Sequence, residues 1–160
     1  MALAATLGSL VEGAAAGLIG HAVVILPGLP GQPEHAAQLA ALADATGAEL
    51  VMASGDVQAD WQHAAHAARG DWVLVLNAGE VFTHGWIAAI ERHAMTSGGR
   101  MGLVPRTGWH GLGDRLAAMR VSSRIRGGQI MPRSWLTGDG AALAKFRPPL
   151  ILGIRRETLR

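Results

Sequence analysis

Three short apolar runs alternate with alanine-rich stretches over residues 1–90, and this alternation constrains the fold more than any other feature. The runs are His21-Ala22-Val23-Val24-Ile25-Leu26, Glu49-Leu50-Val51-Met52-Ala53 and Trp72-Val73-Leu74-Val75-Leu76. Each is five or six residues long, rich in β-branched or bulky apolar side chains, and followed by Pro, Ser or Asn. That is the signature of strands buried on both faces. Between them lie helical patterns. Leu3, Leu7, Leu10, Val11, Ala14 and Leu18 recur at helical spacing, which predicts a helix over 2–18. Glu34 to Thr46 predicts a second helix ending at Gly47, and Asp56 to Ala68 a third ending at Gly70. Thr83 to Ala94 predicts a fourth, broken by Gly98-Gly99.

The order α-β-α-β-α-β-α predicts an α/β fold: three layers, α/β/α, around a mostly parallel sheet. Doubly wound sheets usually open on a strand, and this chain opens on a helix. Either Met1 is not the natural start or the first strand is missing. The length of 160 residues fits one domain. Within it, residues 1–100 carry the α/β pattern and residues 101–160 are basic and less regular. In that second part Met101-Gly102-Leu103-Val104-Pro105 predicts one more strand, and Leu112 to Arg126 a helix with an apolar stripe of Leu112, Leu116 and Met119.

Charge is distributed unevenly. Residues 1–90 carry a formal charge of −7 and residues 91–160 one of +9. Arg115 and Arg126 flank the apolar stripe on one side, Arg120 and Arg124 on the other. Such an array suits an anionic membrane surface or another anionic partner. It equally suits a helix packed on the core, with its arginines solvated and the two halves neutralising each other. The arginines have no interleaved aromatics and match no known module, which argues against nucleic acid. The chain has no cysteine, so disulfides, thiolate metal sites and a cysteine nucleophile are excluded. No apolar run approaches the ~20 residues of a membrane span. Glu12 interrupts the apolar opening and no base precedes it, so no signal peptide is expected and the expected location is cytoplasmic, at most touching a membrane.

The third apolar run leads into Asn77-Ala78-Gly79-Glu80-Val81-Phe82-Thr83-His84-Gly85-Trp86, which reads as a loop at the carboxyl end of a strand, where α/β sheets place their ligands. The chain here resembles the family 2 type of bacterial glycosyltransferases with the GT-A fold, nearest to small members carrying a His-Ala-Asp form of the metal motif. Ala4 to Leu10 is similar to that family's first helix, Ala22 to Leu26 to its second strand, and Thr46 to Val51 to its third. Ala65 to Leu76 with Asn77-Ala78-Gly79-Glu80 and Gly85-Trp86 is similar to its helix, strand and metal loop. Gly127-Gly128-Gln129 and Phe146-Arg147-Pro148-Pro149-Leu150 are more distantly similar to its later motifs.

The resemblance implies sugar transfer from a nucleotide-diphosphate sugar to a cell-envelope or lipid-linked acceptor. It places Pro27 and Gly28 at the turn that holds the nucleotide, and Asn77 and Glu80 at the diphosphate, with Glu80 holding Mg²⁺ or Mn²⁺. The chain departs from the family at the chemistry. Leu26-Pro27-Gly28-Leu29 stands where an Asp-Gly-Gly-Ser type turn is expected. The metal loop has Gly79 in the place of an aspartate, with Glu80 one residue late. Leu152 and Gly153 stand where a Glu-Asp pair supplies the base, and Glu157 is the nearest acid to that place. Transfer needs neutralisation of the leaving diphosphate and deprotonation of the acceptor. The implied transferase is therefore impaired, and a non-catalytic relative, serving as a binding or scaffold protein, is the alternative.

Other chemistries find less support. His63 and His66 are three apart on a predicted helix, without an evident third zinc ligand, and His84 sits beside the metal loop. There is no Gly-x-Ser-x-Gly elbow, no Gly-x-x-x-x-Gly-Lys loop and no Gly-x-Gly-x-x-Gly turn after a strand. Trp72 and Trp86 read as core; Trp109 and Trp135 are candidates for stacking on a sugar or base.

Overall fold

The computed structural model describes residues 2–28, 33–108, 111–114, 125–138, 150–151 and 154–158. It is a mixed α/β protein with small sheets. Its described elements are α1 (Ala2–Ala15), β1 (Val23–Leu26), α2 (Pro33–Ala45), β2 (Glu49–Met52), α3 (Val57–Ala67), β3 (Trp72–Leu74), β4 (Glu80–Phe82), α4 (Trp86–Thr96), β5 (Gly102–Leu103), β6 (Gln129–Pro132), α5 (Ser134–Thr137) and β7 (Arg156–Thr158).

The predicted helices and strands of residues 1–96 are present, with ends moved by local chemistry. Asp56 is the N-cap of α3: its carboxylate accepts from the Gln58 and Ala59 N–H groups at 2.9 and 3.2 Å. The C-cap of α3 is Ala68, in extended conformation, and not Gly70. α4 starts at Trp86 and not Thr83, because Gly85 adopts a left-handed conformation at its N-cap. Of the helix expected from Leu112 to Arg126, Leu112 to Asp114 are helical and Ile125 and Arg126 are not. Residues 115–124, with Arg115, Arg120 and Arg124, lie outside the described residues.

The sheet expectation needs correction. Among the described residues β1 and β2 are parallel, pairing Val23 with Glu49 through Leu26 with Met52. The other ladders are antiparallel: β3 with β6, β5 with β6, and β4 with β7. A mostly parallel sheet requires each new strand to arrive by a helical crossover. β6 and β7 come instead from residues 129–132 and 156–158, where no alternating helix-strand pattern signals them, and they return antiparallel to β3 and β4.

Two apolar clusters lie on opposite faces of β3. Val73 and Val75 join Ala65, Met101, Met131 and Leu136, on the side of α3 and α5. Trp72 and Leu74 join Trp86, Ile90, Val104 and Ile130, with Leu10 of α1, on the other. The alternation of side chains along a strand divides the core in this way. α1 and α4 meet closely because Gly13 has no side chain: a Cβ there would run into the Trp86 indole. Trp86 stacks on Phe82 with ring centroids 4.9 Å apart.

Candidate functional site: a buried ion cluster beside an apolar cavity

Glu80 does not lie in a loop. It opens β4, whose register sets it opposite Thr158, Val81 opposite Glu157 and Phe82 opposite Arg156. Its side chain is buried, with 2 % of the residue exposed. A lone carboxylate at that depth needs neutralisation and hydrogen bonds. Arg156 supplies both: its Nη1 donates to Glu80 Oε1 in a buried ion pair. The Asn77 backbone N–H donates to Glu80 Oε2 at 2.9 Å. Both oxygens of Glu80 are therefore engaged.

Arg156 is itself only 3 % exposed. Two further donors are satisfied by the Val104 carbonyl, which accepts from Nε at 2.8 Å, and by Asp114 Oδ2, which accepts from Nη2 at 3.2 Å. Asp114 in turn accepts from Arg106, whose N–H, Nε and Nη2 approach it at 2.8, 3.1 and 3.0 Å. Two carboxylates and two guanidiniums alternate through this chain, so its formal charge is balanced. Burial pushes the Arg156 guanidinium down from its ordinary value, against the raising effect of Glu80 and Asp114. Burial alone would raise the Asp114 carboxyl. The Arg106 hydrogen bonds and the two neighbouring positive charges outweigh it and hold Asp114 below its ordinary value. The hydrogen bond to Asp114 raises Arg106.

The backbone around the cluster is fitted to it. Gly127 lies against Asn77 and Glu80, and Gly128 against Arg156 Nε and the Val104 carbonyl; a Cβ at either position would collide with these groups. Gly128 also has φ of +83°, a conformation that favours glycine. The loop before Glu80 is tied to α1. The Gly79 N–H donates to Thr6 Oγ1 at 2.8 Å and is also 3.1 Å from the Ala2 carbonyl.

The structure thus brings Asn77 and Glu80 together, beside Gly127 and Gly128. Pro27 and Asn77 both line an adjacent cavity of about 620 Å³, whereas Gly28 is exposed and does not. The cavity walls are mainly apolar: Leu3, Leu7 and Leu10 of α1, Trp61, Ala64 and Ala65 of α3, and the strands β1 and β3. Asp60 also lines it; the Ser54 N–H and hydroxyl both donate to its Oδ1 at 2.7 Å and hold its carboxyl below the ordinary value. Glu157 is exposed on β7. His63, His66 and His84 are exposed, and no group of three metal-ligating side chains occurs among the described residues. Trp135 is half-buried against the α3 side of the core, and Trp109 lies outside the described residues.

A divalent cation does not suit the Glu80 site. Its oxygens are taken by Arg156 and the Asn77 N–H, and the guanidinium places positive charge where a metal would sit. The residues that sequence reasoning missed are Arg156, Asp114 and Arg106. Arg156 lies 76 residues from Glu80, and no local pattern marks such a pairing. The available signal was Glu80 itself, a single charge directly ahead of Val81-Phe82. Among the described residues no helix is long and apolar enough to cross a membrane. Comparison of the chain with family models, curated proteins and solved structures finds no match.

Proposed function

We propose that this chain is a glycosyltransferase-like protein of the family 2 type that binds but does not transfer. One observation carries this reading. The carboxylate that the resemblance assigns to a catalytic cation is buried, and Arg156 neutralises it. An enzyme that must stabilise a leaving diphosphate needs charge facing the ligand; here that charge is consumed internally. The three-layer GT-A arrangement belongs to the same proposal. It is supported by α1 and α3 lying against opposite faces of the β3 layer, with β1 and β2 parallel.

The test is calorimetric titration of the folded chain with UDP-glucose and GDP-mannose, with and without Mn²⁺, beside an assay for nucleotide release. Release at the level of the uncatalysed reaction and no Mn²⁺-dependent binding are expected. Metal-dependent binding that Glu80→Ala weakens would overturn the reading. The second reading, transfer itself, is favoured by the common placement of Pro27 and Asn77 on one cavity. It requires that metal dependence.

A further inference from the structure

The cavity lies edge-on between two strands. Three consecutive residues of β1, Val23, Val24 and Ile25, line it, as do all three of β3. Consecutive side chains of a strand point to opposite faces, so a cavity touched by consecutive residues meets the strand along its edge. All six are only half-buried, whereas Gln129, Ile130 and Met131 of β6 are buried. α1 covers one side of the cavity and α3 the other.

Backbone direction agrees. On β1 the Ala22 and Leu26 carbonyls accept from β2 and the residue after it, through the Glu49 and Ala53 N–H groups. Residues 22, 24 and 26 therefore face β2, and Val23 and Ile25 face the opposite edge. On β3, Val75 exchanges bonds with Gln129 and Gly128, and the Asp71 carbonyl accepts from Arg133. Residues 71, 73 and 75 therefore face β6, and Trp72 and Leu74 face the cavity. Among the described residues each strand has one paired edge, β1 with β2 and β3 with β6. No described backbone group bonds Val23, Ile25, Trp72 or Leu74 across the gap. His21, which also lines the cavity, has a buried Nδ1 with no hydrogen-bond partner among the described residues.

We propose that this slot takes one extended apolar strand from another polypeptide, bonded on both edges to β1 and β3. Buried backbone groups require partners, and a strand between two free edges supplies them on both sides. Four apolar residues match the length of β1. Asp60 and Asp71 line the slot and, among the described residues, no Arg or Lys does, so basic residues flank the apolar stretch of the partner. This inference does not depend on the absence of transfer.

The test uses the full chain, labelled with ¹⁵N, and the capped peptide Lys-Val-Val-Ile-Val-Lys. Saturable binding is expected, with amide exchange at Val23, Ile25, Trp72 and Leu74 slowed about tenfold or more. N-methylation of two central peptide amides lowers affinity about tenfold or more by deleting bonds that only a strand makes. Glu-flanked peptide binds more weakly. Ile25→Pro abolishes binding while leaving the β2-facing bonds in place, which the Val24 amide reports. Absence of binding to the folded chain overturns the proposal. So does equal binding of the N-methylated peptide, which would mean that the cavity accepts any apolar molecule. A chain that is dimeric alone, with those four amides already protected, would assign the slot to a second copy and overturn it too.

Discussion

The pairing of Glu80 with Arg156 sets what residue changes do here. Each ion is buried, so removing one partner leaves an uncompensated charge in the cluster. Glu80→Gln is therefore expected to cost about 3–5 kcal/mol, read as a lowered urea midpoint with unchanged slope. Replacing both partners, Glu80→Gln with Arg156→Met, should recover most of that loss, because desolvation offsets much of the attraction within a buried pair. A double variant as unstable as the sum of the single losses would mean that the two side chains are not coupled and would contradict the pairing. Asp114 adds a pH dependence. Its carboxyl is held below its ordinary value in the folded chain. The unfolded chain thus takes up the proton first as pH falls. The stability from Asp114 is fully present above its unfolded pKa of about 3.9 and is lost as pH falls through the lower folded value. Asp114→Asn should lower stability at pH 7 and flatten the decline below about pH 4, leaving the share that belongs to Asp60. An acid limb unchanged in the variant would contradict the assignment.

At the scale of elements, the helices and the first three strands were legible because their causes are local. Asp56 is readable as an N-cap because its carboxylate bonds residues two and three positions ahead. Asp56→Ala should destabilise by about 1 kcal/mol, and Asp56→Ser by less, in the same urea titration. Equal losses would mean that the carboxylate acts through something other than the cap. β4, β6 and β7 were not legible. Glu80-Val81-Phe82 is a strand because β7 pairs with it from residues 156–158, and without that partner the same residues read as loop. Placing Glu80 in a loop also hid the site's character. A loop carboxylate faces solvent and ligand. On a strand roofed by Arg156 and Gly127 it faces the core, and the metal expectation depended on that difference.

Across the whole molecule, composition and periodicity fixed which residues are apolar but not which of them find a neighbour. Val23, Val24, Ile25, Trp72, Val73 and Leu74 read as core from their runs, yet each is half-buried, because the space between β1 and β3 is a cavity. Sequence patterns report the face of a strand and are silent on its edges, since edge pairing is set by strands distant in the chain. Exchange in the free protein should expose this arrangement. Val24 and Val73 direct their amides into ladders with β2 and β6. The amides of Val23, Ile25, Trp72 and Leu74 point into the cavity. Protection should therefore alternate along each strand, with the cavity-facing amides exchanging about tenfold or more faster than their neighbours. Residue burial does not account for that alternation, because all six residues are half-buried. Uniformly slow exchange would mean that β1 and β3 close on each other in solution and that the cavity has no lasting edge. Uniformly fast exchange would place β1 and β3 among the least stable parts of the fold, with their ladders opening as readily as their free edges.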